Sequence, residues 1–124
     1  MSTTRYLLIA LTGGVGAITR FAVDGALRAR WPGHFPWQTI LINVTGSLLL
    51  GFLTGLVLFH AEPALLTAVL GTGFCGGYTT FSTASFETVR LVRDRAPLLA
   101  FANAIGTPLL SIAAAAAGLV LAHG

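Results

Sequence analysis

The sequence predicts an all-α membrane protein of four transmembrane helices, the third broken partway along. The chain has 124 residues, 55% of them hydrophobic and only 9% charged, with a mean hydropathy of +0.84. That leaves too little polar surface for a globule in water, whereas a bilayer can solvate it. Three stretches, Pro32 to Ala61, Pro63 to Phe86 and Ala96 to Gly124, hold no Asp, Glu, Lys or Arg. Each exceeds the ~20 residues that a helix needs to cross hydrocarbon. In the middle of the second stretch, Gly76-Gly77 and a run of hydroxyl residues replace helix formers, which predicts a break there.

The first span is read at 6–26. Its only charges, Arg20 and Asp24, stand four residues apart on one helical face and are expected to pair near its end. A loop with two prolines and two tryptophans, Arg30 to Trp37, separates it from a second span at 37–59. The turn His60-Ala61-Glu62-Pro63 leads into the third span at 64–90, and Arg90 to Pro97 leads into the fourth at 97–122. Glu87 is expected beside Arg90 as a second structural ion pair. Residues 1–124 form one domain in this reading, with no room for a soluble one. The apolar stretch after Arg5 lacks a small-x-small cleavage site, so the chain reads as mature. All seven basic residues are arginines, and most flank the spans on the side of the 1–2 and 3–4 loops. That bias speaks for headgroup contact rather than nucleic acid, and by the positive-inside rule it turns both termini outward. Cys75, the single cysteine, reads as a small buried hydrophobe with no disulfide or metal role.

Glycines crowd every span, and Gly51 and Gly55 make a small-xxx-small step suited to close helix packing. Gly13-Gly14-Val15-Gly16 has neither the spacing nor the preceding strand of a nucleotide loop. Two polar stripes are more informative. Thr39, Asn43 and Ser47 in the second span, and Asn103, Thr107 and Ser111 in the fourth, recur at four-residue steps and so share a face. A hydroxyl can bond to its own preceding turn, but an asparagine amide in hydrocarbon needs another partner and marks a functional path. The run Gly76-Gly77-x-Thr79-Thr80-x-Ser82-Thr83 is the densest polar signal of all. Unwound backbone at membrane depth survives only if it is buried in protein or lines a cavity, where its polar groups commonly hold ions.

These residues resemble the Fluc (CrcB-type) fluoride channels over essentially the whole chain. The likeness rests on Gly13-Gly14-x-Gly16-Ala17-x-x-Arg20-Phe21, on Asn43-x-x-Gly46-Ser47 with Gly51, and on Gly73-Phe74-Cys75-Gly76-Gly77-x-Thr79-Thr80-Phe81-Ser82-Thr83. The resemblance implies a passive, fluoride-specific channel in the inner (plasma) membrane that lowers cytoplasmic fluoride. It implies four-span subunits paired antiparallel in a dual-topology dimer with two pores. It also implies a structural Na+ at the dimer interface, held by the backbone carbonyls of Gly76 and Thr79, and a fluoride path along Asn43, Phe81 and the stripe Asn103, Thr107 and Ser111. Thr80, Ser82 and Thr83 add hydroxyl donors, and the positive edge of the Phe81 ring suits a small anion without a fixed charge. Two positions depart from the family pattern: Ala84 stands where a second phenylalanine is usual, and Asn103 where a tyrosine is common. With the arginine bias, they raise pairing with an oppositely oriented paralogue as the alternative to a homodimer.

Two other classes fit less well. A small proton-coupled multidrug exporter needs a carboxylate in mid-span, and none is present. An intramembrane enzyme needs a base at depth, yet His34, His60 and His123 all fall at span ends or in loops.

Overall fold

The computed structural model describes residues 3–31, 33 and 35–124; the loop residues Pro32 and His34 lie outside it, as does the side chain of Ser82. All regular structure among the described residues is helical. Helix α1 is Thr3–Arg30 and α2 is Trp37–His60. Helix α3 covers residues 64–78 as three joined pieces, Ala64–Leu66, Thr67–Cys75 and Gly76–Tyr78. Helix α4 is Phe81–Arg93 and α5 is Pro97–His123. Thr3–Arg30, Trp37–His60, Ala64–Arg93 and Pro97–His123 are each long and apolar enough to cross a membrane.

The expected boundaries hold within a few residues except in α1, which continues through Arg30. The reason is local: Asp24 pairs with Arg28 one turn onward, not with Arg20 as the sequence suggested, and the ion pair supports the extra turn. Prolines and left-handed residues punctuate the rest. Pro63 precedes α3 and Pro97 opens α5, where the missing N–H costs no helical bond. Ala61 ends α2 in a left-handed conformation (φ 54°), its N–H returning to Leu56 O.

Glycine lets two seams close. Helix α2 packs along α5, its most extensive partner. A Cβ on Gly51 would strike the backbone of Ala115, and one on Gly118 would strike the backbone of Leu48 and Phe52. Helix α1 packs in the same way on α3: Gly16 meets Phe74 O and Gly77 meets Gly13 O. Where lipid is as apolar as the side chains, such backbone approach is how helices gain contact.

The third apolar segment is interrupted within the predicted glycine and hydroxyl run. Gly76 is helical (φ −62°, ψ −37°), and the interruption itself falls at Thr79 (φ −79°, ψ 158°) and Thr80 (φ −150°, ψ 122°). Gly76-Gly77 therefore remains in the helix despite a propensity cost of about 1 kcal/mol per glycine, because the seam with α1 requires Gly77. Upstream, Thr67–Cys75 winds as a π-helix. The Thr12 hydroxyl of α1 lies 2.8 Å from Val69 O in that segment, taking up a carbonyl from the wider turn.

Gly118→Ala should separate α2 from α5 and destabilise the protein by roughly 1–3 kcal/mol. Gly14→Ala meets no described atom within 4 Å and should be neutral. Thermal unfolding of the detergent-solubilised variants checks this; equal midpoints would contradict the close seam.

Candidate functional site

Asn43 secures the interruption between α3 and α4. Its Nδ2 donates to Thr80 O at 2.9 Å, and its Oδ1 accepts from Thr80 N at 2.8 Å. One side chain thus satisfies both backbone groups of the extended residue, whose N–H a continuous helix would direct to Gly76 O. Neighbours complete the fit. Gly46, one turn beyond Asn43 region on α2, leaves space for the Thr79 methyl and Tyr78 ring, and the Tyr78 hydroxyl meets Thr45 Oγ1 at 2.9 Å. Arg20 Nε reaches Gly77 O at 3.4 Å from α1. Thr80 then starts α4 as its N-cap, its Oγ1 accepting from Thr83 N at 3.1 Å and donating to Thr83 Oγ1 at 3.2 Å.

The interruption opens on a groove of about 480 Å³ between α2, α4 and α5. Among the sequence-predicted residues, Asn43, Thr79, Thr80, Phe81, Asn103, Thr107 and Ser111 line it together. Thr83 is not in its wall, being engaged in the cap, and Gly76 lies on the open surface of α3 instead. The predicted donor on the Ser82 side chain falls outside the described atoms. Phe81 is 86% exposed, its ring projecting from the chain at the groove edge.

Ala84, noted in the sequence for its missing phenylalanine, is in the wall, and several further wall residues were not singled out from sequence: Ser85, Thr88, Ala104 and Pro108. The signal available for Ser85 and Thr88 was their helical spacing from Phe81, one and two turns on. Pro108 lies inside α5 and has no N–H for Ala104 O, so it weakens the helix where that helix borders the groove. None of the described lining residues carries a charge.

The two polar stripes do not run as single tracks. Thr39, one turn before Asn43, turns to Glu87 instead of the groove: its hydroxyl donates to Glu87 Oε1 at 2.5 Å. Gln38 Nε2 and Arg28 Nη2 reach Glu87 Oε2 at 3.1 and 3.4 Å. The expected Glu87–Arg90 pair is thus replaced by a cluster joining α1, α2 and α4. Glu87 is only 1% exposed, and these three donors offset the cost of taking its carboxylate out of water. In the other stripe, Asn103 is equally buried and donates to Ala84 O and Thr88 Oγ1, while Thr107 donates to its Oδ1. Cys75 is buried, as its apolar reading required.

Four apolar spans enclosing an uncharged, amide- and hydroxyl-lined groove define a multi-pass helical membrane protein. Residues 7–119 match the family described as CrcB-like protein, Camphor Resistance (CrcB), and the chain belongs to that family. A relative from Leifsonia xyli subsp. xyli, named fluoride-specific ion channel FluC 1, is 50% identical over 115 residues, covering 93% of this chain and 84% of the relative. One of the same name from Frankia casuarinae is 43% identical, with 95% of each chain covered. A third from Pyrococcus abyssi, named fluoride-specific ion channel FluC, is 41% identical across 99% of each.

Asn43→Ala would remove both hydrogen bonds that the amide makes with the Thr80 backbone, each worth about 0.5–1.5 kcal/mol. The variant is expected to melt earlier and to exchange the Thr80 amide hydrogen faster. Parent-like exchange at Thr80 would mean that the interruption is held by something else.

Proposed function

We propose that this chain is a subunit of a passive fluoride channel, an ion conductor and not an enzyme, that lets fluoride leave the cytoplasm across the inner membrane. The observation that carries this reading is the uncharged groove beside the interruption, lined by two amides, several hydroxyls and the Phe81 side chain. Fluoride is small and strongly hydrated, so a path must exchange its water for compact donors. Neutral donors also hold it weakly enough for release. The names carried by relatives across nearly the full chain point the same way.

The path runs past Asn43, Thr80, Phe81, Thr107 and Ser111, with Ser82 and Thr83 at the start of α4 and Asn103 in the wall. In this reading the interruption lies at membrane depth, and two subunits pair antiparallel across it. The exposure of Phe81 supports a second subunit, since its ring has little of this chain to pack on. Gly76 on the open surface and Thr79 with its carbonyl turned out of helical geometry fit a hard cation held by neutral oxygens. The backbone carbonyls of Gly76 and Thr79 from both subunits would hold a structural Na+, which supplies positive potential near an anion path.

Pairing with an oppositely oriented paralogue is favoured over a homodimer by two features: the small Ala84 in the groove, and the gathering of Arg28, Arg30, Arg90, Arg93 and Arg95 toward one end. A proton-coupled exporter finds no support in the groove, because no described lining residue is a carboxylate and Glu87 is already bonded to three donors.

Purified protein in liposomes should release fluoride far faster than chloride and drive no proton-coupled drug uptake; absence of fluoride release would overturn the function. Asn43→Asp should abolish the release by setting an anion in the path, and Phe81→Ile should reduce it strongly. Parent-like release in either would move the path elsewhere. Labelling Ser2→Cys from each face of the membrane should find one orientation for a subunit that needs a paralogue; two orientations would favour the homodimer.

A further inference from the structure

Asn103 has two N–H donors and one carbonyl acceptor, and the protein uses all three. Nδ2 donates to Ala84 O at 3.2 Å and to Thr88 Oγ1 at 2.8 Å, while Oδ1 accepts from Thr107 Oγ1 at 3.0 Å. Thr88, on the same face of α4 as Ala84 and one turn on, donates its own hydroxyl to Ala84 O at 3.0 Å. This closed set leaves Asn103 no proton for a guest in the groove, although its residue borders it.

The arrangement has a mechanical meaning. Helix α4 has 13 residues, packs along α5 and meets α2 at few points. It is tied to α2 at its start by the double bond-pair between Asn43 and Thr80 and further on by Gln38 and Thr39 at Glu87, and it is tied to α5 by Asn103. At the Asn103 tie stands Ala84, a side chain too small to act as a spacer. The distance across the groove at that point is therefore held by hydrogen-bond lengths, which tolerate little stretch, more than by side-chain bulk.

We propose that Asn103 and Thr88 are positioning residues that clamp α4 to α5, fix the width of the groove and so set its discrimination between fluoride and larger anions. This rests on the reading of the groove as an anion path. Asn103 then acts through the wall it holds, not as a ligand for the ion.

The test compares Thr88→Val, which keeps the shape and removes the hydroxyl, with Thr88→Ser, which keeps the hydroxyl. In liposomes, Thr88→Val should lower the fluoride-to-chloride efflux ratio by about three- to tenfold, the size expected for one lost hydrogen bond, and Thr88→Ser should restore it. Asn103→Ala should lower the ratio similarly and add little in the Thr88→Val background, because both remove the same tie. A parent-like ratio in Thr88→Val, or additive effects of the two substitutions, would overturn the clamp. So would loss of fluoride flux in Asn103→Ala alone, with Thr88→Val parent-like, which would make Asn103 a ligand. If the parent protein conducts no fluoride, the channel reading fails, yet the clamp is still tested by thermal unfolding of the same four proteins. Non-additive midpoints support it, and additive midpoints overturn it.

Discussion

The structure depends on one side chain supplying what a helix cannot. At Thr80, extended between α3 and α4 in an otherwise apolar segment, the N–H leaves the course that a continuous helix would give it. Asn43 answers Thr80 with a matched donor and acceptor, as a neighbouring strand would. A carboxylate or an ammonium at that position could offer only one half of the match. From this exchange follow the start of α4, the direction in which Phe81 leaves the chain and the opening of the groove.

Around that point, close packing and polar bonding divide the labour. The glycine seams of α1 with α3 and of α2 with α5 bring backbone against backbone and give the bundle its fixed frame. Helix α4 packs along α5, with Leu91 and Ala84 buried, and is tied to the frame in addition by Asn43, by Asn103 and by the Glu87 cluster. Toward α2 it is held by a few directed bonds and not by close apolar contact, and the groove is the space that results.

The spans were legible because hydropathy is a local, additive property of a window of residues. That Asn43, Thr80 and Phe81 would come to one place was legible through their motif. The partner of each polar group was not, because that depends on how distant helices are rotated. Asp24 had arginines at both −4 and +4; the acid-first order favours Arg28, and the course of α1 brings that arginine to Glu87 as well. Thr39 and Asn43 share a helical face in sequence, yet one bonds Glu87 and the other Thr80. The interruption falls inside the run that predicted it, at Thr79-Thr80, but the group that pairs with it lies on α2 and no local pattern names it. The π-helical winding of Thr67–Cys75 answers to the Thr12 contact across the seam, and no local pattern announces it.

Interrupting a helix also creates two new ends. At Thr79 and Thr80, the carbonyl end of α3 and the amide end of α4 meet within two residues. Aligned peptide dipoles give the first a partial negative charge and the second a partial positive one. An apolar segment built almost wholly from neutral residues thereby sets two opposed partial charges side by side, with no lysine or aspartate to supply them.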